Sequence, residues 1–311
     1  LISSTPLWKR ASRTAVRRTD LFRFRHGPGG RKARALGAPE TARREEGSLR
    51  GLFALFFVMA VLIMPFAARA ADEGREAWER IRSTHLLRLG FPGDYAPFAL
   101  APEGKTDWQG FDVDLLRGFA ARHHLTAVFV RTSWKTLAAD LARGSFDIAG
   151  GGISVTPERA RIGLFSEPYL EDGKTVIAPC ATAGRFASLA AIDQPGVRIL
   201  VNPGGTNEAF DRRFLTHARL VWWEDNRSIF AALARGEGDL MITDATEARY
   251  QTKLHPELCA PFAAHPFTHS EKAFFLTPDP RLKAALDAFL EEERRTGRLD
   301  ALKARWFGRG A

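Results

Sequence analysis

The chain has 311 residues, with 45 Lys/Arg against 36 Asp/Glu and a formal charge of +9. Residues 1–70 hold 14 basic and 4 acidic side chains, which leaves 31 against 32 in residues 71–311. A folded part so near neutrality lacks the basic footprint that polyanions require, so nucleic acid is excluded as an expected partner.

Residues 1–48 are Arg-rich with no periodic apolar pattern and are expected to be a non-native or disordered extension, translation starting at Leu49. An organelle transit peptide is the alternative for them. Residues 49–70 read as a signal peptide: an uncharged apolar run at 51–68 follows Arg50, and Ala68-Arg69-Ala70 predicts cleavage after Ala70. A permanent membrane anchor is the competing reading, but an 18-residue run is short for a span, and Pro65 interrupts it. Ala71 in place of Cys argues against a lipid anchor. An exported, periplasmic protein without a stable membrane anchor is expected, its oligomeric state left open. Cys180 and Cys259 are an even pair for an oxidising compartment; a disulfide and two buried thiols both stay open.

From residue 71 the pattern alternates. Leu86–Phe91 reads as a strand, Asp112–His123 as a helix, Leu125–Arg131 as a strand and Trp134–Arg143 as a helix. A short buried strand at Phe146–Ala149, a helical turn at Pro157–Arg161 and an extended run at Lys174–Pro179 follow. The pattern then restarts: strand Arg198–Val201, helix Asn207–Thr216, strand Arg219–Trp223, helix Ser228–Arg235, strand Asp239–Thr243 and helix Ala245–Leu254. Ala273–Thr277 is extended, and Arg281–Arg305 is mostly helical. Such alternation predicts an α/β protein with helices on largely parallel sheets. Two similar lobes are expected, residues 71–177 with 270–311 and residues 178–269, joined by a hinge of two crossings with a ligand cleft between them.

Three segments carry candidate chemistry. Gly150-Gly151-Gly152-Ile153-Ser154-Val155-Thr156-Pro157-Glu158-Arg159 leads into a helix capped by Thr156, and places Arg159 where a guanidinium grips a carboxylate. A surface Arg–Glu pair is the plainer reading. Asn202-Pro203-Gly204-Gly205-Thr206-Asn207-Glu208 opens another helix, whose free amides with Thr206 and Asn207 form an anion cradle; a simple capped turn is the alternative. Asp244-Ala245-Thr246-Glu247 ends a buried strand and offers Glu247 as a carboxylic acid beside that cradle, although the spacing also fits a capping box. Tyr95, Phe98 and Trp134 sit in loops where aromatics wall a ring-shaped ligand or simply pack in a core. Lys174 stands near the first crossing, where a cation attracts an acidic substrate. The histidines show no zinc spacing, and no Ser/His/Asp arrangement or phosphate-binding loop is present.

The lobe layout, with G-F-D-V-D at 110–114, G-I-S-V-T-P-E-R at 152–159 and F-S-E-P-Y at 165–169, resembles the type II periplasmic solute-binding proteins. That resemblance implies Ser154 and Arg159 on an α-carboxylate, Thr206 assisting and Asp244 meeting an α-amino group. A narrower resemblance, to the periplasmic cyclohexadienyl dehydratases, rests on G-D-Y at 93–95, T-S-W at 132–134, Y-L-E-D-G-K-T at 169–175 and I-D-Q-P-G-V at 192–197, with V-N-P-G-G-T-N-E at 201–208, T-D-A-T-E-A-R at 243–249 and L-H-P-E-L-C at 254–259. It implies decarboxylative dehydration of prephenate to phenylpyruvate, or of arogenate to phenylalanine. Glu247 is the implied general acid, with Lys174 and Asn202 in the same site; Asn207, Tyr95 and Trp134 are expected around the substrate from their own placement in the helix-start turn and the cleft loops. Neither metal nor cofactor is called for. A non-catalytic amino-acid receptor of an ABC importer is the alternative.

Overall fold

The structure is a computed structural model that describes residues 76–102, 104 and 106–308. The extension at 1–48, the signal peptide at 49–70 and the cleavage after Ala70 fall outside these residues.

Leu87, Leu89 and Phe91 share one face of the strand Leu86–Phe91 and are wholly buried, as a period of two demands of a half-buried strand. This strand pairs in parallel with Thr126–Arg131 on one side and Ile148–Ala149 on the other. Phe275–Leu276 and then Leu164–Phe165 complete a five-stranded sheet, both pairings antiparallel. The sheet is therefore mixed, because the chain that returns from the second lobe enters it from the opposite direction. The helices Phe111–Arg122, Pro280–Arg295 and Arg298–Phe307 cover one face, and Phe111, Phe119, Leu282, Leu286, Leu290 and Leu299 form one apolar cluster there.

The second lobe repeats the plan. Lys174–Pro179 runs between Met241–Asp244 and Leu258–Cys259, antiparallel to both. Arg198–Val201 pairs in parallel with Arg219–Trp222 and reaches this group through a bridge between Ile199 and Leu240. In each lobe, the strand order is second, first, third, crossing strand, fourth, so the order of the first lobe recurs in the second.

The lobes are joined by a two-stranded ribbon, Leu170–Asp172 antiparallel to Ser270–Lys272. A lobe boundary after residue 177 is too late: Lys174–Pro179 already belongs to the second sheet, and the crossing lies just before it. The two ribbon strands are three residues each, too short to leave an alternation in the sequence. Helix Leu137–Ala142 starts later than expected because Ser133 and Thr136 form a turn ahead of it, Thr136 N donating to Ser133 Oγ at 3.2 Å. The helix expected from Asn207 to Thr216 spans Thr206–Phe214, ending where Leu215 turns extended and buries its side chain.

Cys180 and Cys259 are bonded to each other. The bridge lies at the end of Lys174–Pro179 remote from Lys174, and so pins the strand that carries this lysine.

Candidate active site

Two turns and one crossing strand build the cleft. The glycine turn before Ser154 is held by Asp112 of G-F-D-V-D, which accepts from Gly151 N at 2.6 Å, from Gly152 N at 2.8 Å and from Tyr169 Oη at 2.7 Å. Gly152 has φ +70, and a Cβ there would lie 2.7 Å from the Phe98 ring, so the turn demands glycine. Across the cleft, Gly204 has φ +93 and packs against the Lys135 backbone of the other lobe. Asn226 Nδ2 donates to Asp94 O at 3.0 Å, and Lys135 pairs with Glu224 at 3.2 Å, so the lobes are in contact and the cleft is shut.

A small cavity remains, lined by Tyr95, Trp134, Ser154, Arg159, Asn202, Thr206, Asn207 and Asp244, with Gly152 and Gly205. Eight of the candidate residues thus line one cavity, with side chains from both lobes. Lys174 and Glu247 lie behind it. Lys174 Nζ donates to Thr206 Oγ1 at 2.9 Å, Asn207 Oδ1 at 2.5 Å and Asp244 Oδ1 at 2.7 Å. Glu247 Oε2 accepts from Thr243 Oγ1, which in turn accepts from Asn207 Nδ2 at 3.2 Å. A continuous chain therefore joins Glu247, Thr243, Asn207 and Lys174.

Glu247 Oε1 is buried and meets no partner among the described residues. Burial raises the Glu247 carboxyl and the Asp244 charge adds to this; the Thr243 hydrogen bond and Lys174 oppose, and the balance sits at about 8. Asp244 behaves oppositely. Burial alone would raise it, but Lys174 and Lys272 outweigh burial and hold it well below the usual carboxylate range. Two adjacent carboxyls are thus driven apart, one kept neutral and one kept ionised. Arg159 Nη1 donates to Ser154 O at 2.9 Å, and burial lowers its guanidinium to about 10. It stays a cation at neutral pH and is part of the cavity wall, not of a surface pair.

The capping-box alternative for Asp244 and Glu247 fails. Asp244 makes no cap hydrogen bond with its side chain. Asp172 takes that part: its Oδ1 accepts from Thr246 N at 3.2 Å and from Gly173 N at 2.9 Å. With the helix start served from the crossing ribbon, Asp244 is left for the lysines and for Tyr95, whose hydroxyl donates to Asp244 Oδ2 at 2.6 Å. Trp134 Nε1 donates to Asp94 Oδ1 at 2.9 Å, which fixes the indole edge against the cavity. No polar partner of the Asn202 side chain was found among the described residues, although the residue is 5% exposed and lines the cavity.

Sequence reasoning missed Lys272. It is 0% exposed, its Nζ pairs with Asp244 Oδ2 and it donates to Ser154 Oγ at 2.9 Å. Its one sequence signal is a lysine immediately before the apolar run Ala273–Leu276, because a ribbon strand of three residues leaves no alternation. No group of ligands fit to hold a metal occurs among the described residues, and no helix among them is long and apolar enough to cross a membrane.

Residues 87–309 match the bacterial extracellular solute-binding proteins, family 3. The chain is 43% identical over 250 residues to a cyclohexadienyl dehydratase of Pseudomonas aeruginosa, covering 80% of this chain and 93% of that one. It is 25% identical to an L-cystine-binding protein of Escherichia coli, over 84% of this chain and 95% of that one. The crystal structure of an ancestral amino-acid-binding protein, described as a precursor of cyclohexadienyl dehydratase, superposes with a TM-score of 0.68 at 30% identity, over 74% of this chain and 98% of that one. With the two-lobed type II fold and these matches together, the chain belongs to the family 3 extracellular solute-binding proteins and, within them, groups with cyclohexadienyl dehydratase.

Proposed function

We propose that this protein is an exported cyclohexadienyl dehydratase that converts prephenate to phenylpyruvate, or arogenate to phenylalanine. The observation that carries the reading is the Glu247 carboxyl, raised to about 8 by burial and holding one oxygen without a partner, beside a cavity walled by Arg159 and two helix-start turns.

In prephenate the bond from the ring to its carboxylate breaks and carbon dioxide leaves. The released electron pair enters the ring and expels the ring hydroxyl. That hydroxyl takes the Glu247 proton and departs as water, and Glu247 regains a proton from solvent. Aromatisation drives the step, so a donor, an anion clamp and exclusion of bulk water suffice. An ordinary glutamic acid would be protonated in about one molecule in 500 at pH 7; at about 8, most Glu247 is ready to donate. Lys174 and Asn207 hold Thr243, and through it the carboxyl. Arg159 and Ser154 take the side-chain carboxylate, and Trp134 and Tyr95 wall the ring.

Purified protein incubated with prephenate is expected to form phenylpyruvate, and Glu247→Gln to abolish this while still binding ligand. Tight binding of a common amino acid without turnover of prephenate or arogenate would instead make the chain a receptor.

A further inference from the structure

The turn that carries Tyr95 does more than wall the cavity. It leaves the first sheet after Phe91, is held by Arg131 Nη1 donating to Pro92 O at 3.2 Å, and enters a short strand, Asp94–Tyr95, paired with Ala99–Leu100. Asp94 meets both lobes at once. Its Oδ1 accepts from the Trp134 indole of its own lobe at 2.9 Å, and its backbone oxygen accepts from Asn226 Nδ2 of the second lobe at 3.0 Å. One residue on, the Tyr95 hydroxyl reaches Asp244 of the second lobe. The Asp94 carboxylate is thereby fixed at the lobe boundary against an indole that lines the cavity.

Holding the indole needs only an acceptor, which a neutral amide also supplies. A carboxylate adds a charge. The groups bearing on Glu247 are Thr243, Asp244 and Lys174 from its own lobe and Asp94 from the other. Asp94 acts in the same sense as Asp244, making a further anion at Glu247 unfavourable. Around Asp94 itself stand Trp134 of its own lobe and, from the second lobe, Arg227 and Asp225, which are opposite in sign. Thr243, Asp244 and Lys174 stay beside Glu247 when the lobes part. Asp94 leaves with the first lobe.

Resting on the dehydratase reading above, we propose that Asp94 is a positioning residue that ties the chemistry to lobe closure: it anchors the Trp134 indole and brings a first-lobe carboxylate up to Glu247 only when the cleft shuts. Asp94→Asn keeps an acceptor for the indole and removes the charge. Loss of a neighbouring negative charge makes Glu247 easier to ionise. With phenylpyruvate at saturation, the ¹³C-carboxyl midpoint of Glu247 is therefore expected about half a pH unit or more lower in Asp94→Asn than in the wild type. The alkaline limb of kcat should move down with it, and KM should stay within about twofold. Asp94→Leu removes charge and acceptor together. It is expected to raise KM about tenfold or more and to move the ¹⁵N indole resonance of Trp134, which Asp94→Asn leaves near its wild-type position. Equal Glu247 midpoints in the wild type and Asp94→Asn overturn the proposal, as does a KM for Asp94→Leu no higher than that of Asp94→Asn. Failure of both prephenate and arogenate to react would sink the dehydratase reading alone, because the titration needs no turnover and still decides what Asp94 does to Glu247.

Discussion

Glu247 is held protonated at a cost to the fold. Its carboxyl titrates at about 8 in the folded protein, against an ordinary value of 4.5. The folded state therefore binds more protons than the unfolded chain between these values, and stability falls as pH rises from about 4.5 through about 8. Glu247→Gln carries no such penalty. It is expected to be more stable than the wild type at pH 9, by on the order of a few kcal/mol, and so to melt at a higher temperature there, and to match it more closely at pH 5. Thermal melts at the two pH values check this; equal increments at both would contradict it. Thr243 supports the same carboxyl from the other side. Its hydrogen bond favours the ionised form, so Thr243→Val should move the alkaline limb of the kcat profile upward, and Thr243→Ser should restore it.

At the scale of elements, the strand Lys174–Pro179 carries most of the design: Lys174 enters the site at one end and Cys180 closes the disulfide just past the other. Replacing Cys180 and Cys259 by Ala is expected to cost about 2–4 kcal/mol of stability, read by denaturant unfolding, because a long loop is released in the unfolded chain. An unchanged midpoint would contradict it. Elements with strong local signals were legible in the sequence: Leu86–Phe91, Lys174–Pro179, Arg198–Val201 and Ala245–Leu254 are found at the expected residues. Thr156 and Pro157 cap and open their helix as the T-P-E-R spacing implies. What escaped was set by tertiary pairing. Ser270–Lys272 has no alternation of its own and becomes a strand only against Leu170–Asp172, and with it Lys272 escaped. Likewise the spacing of Asp244 and Glu247 looked like a helix cap because nothing local reveals that Asp172, remote in sequence, does the capping.

Across the whole molecule, function depends on the two lobes meeting. The cavity is lined by Ser154, Arg159, Tyr95 and Trp134 from one side and by Asn202, Thr206, Asn207 and Asp244 from the other, so the proposed chemistry needs both lobes. Gly204 is a contact point of the closed form, where a Cβ would lie 2.6 Å from Lys135 N. Gly204→Val is expected to keep the lobes folded but hold them apart, lowering kcat/KM by about 100-fold or more. Small-angle scattering should then show no contraction on adding substrate. Normal turnover in that variant would mean that closure is not required.

Glu247 can donate a proton only if it is neutral when the cleft is shut, and one titration reads this directly. With phenylpyruvate bound to hold the lobes together, the carboxyl carbon of Glu247 in ¹³C-labelled protein, assigned by its loss in Glu247→Gln, is expected to titrate near 8. A midpoint at or below 4.5 would leave no donor at working pH and would contradict the account.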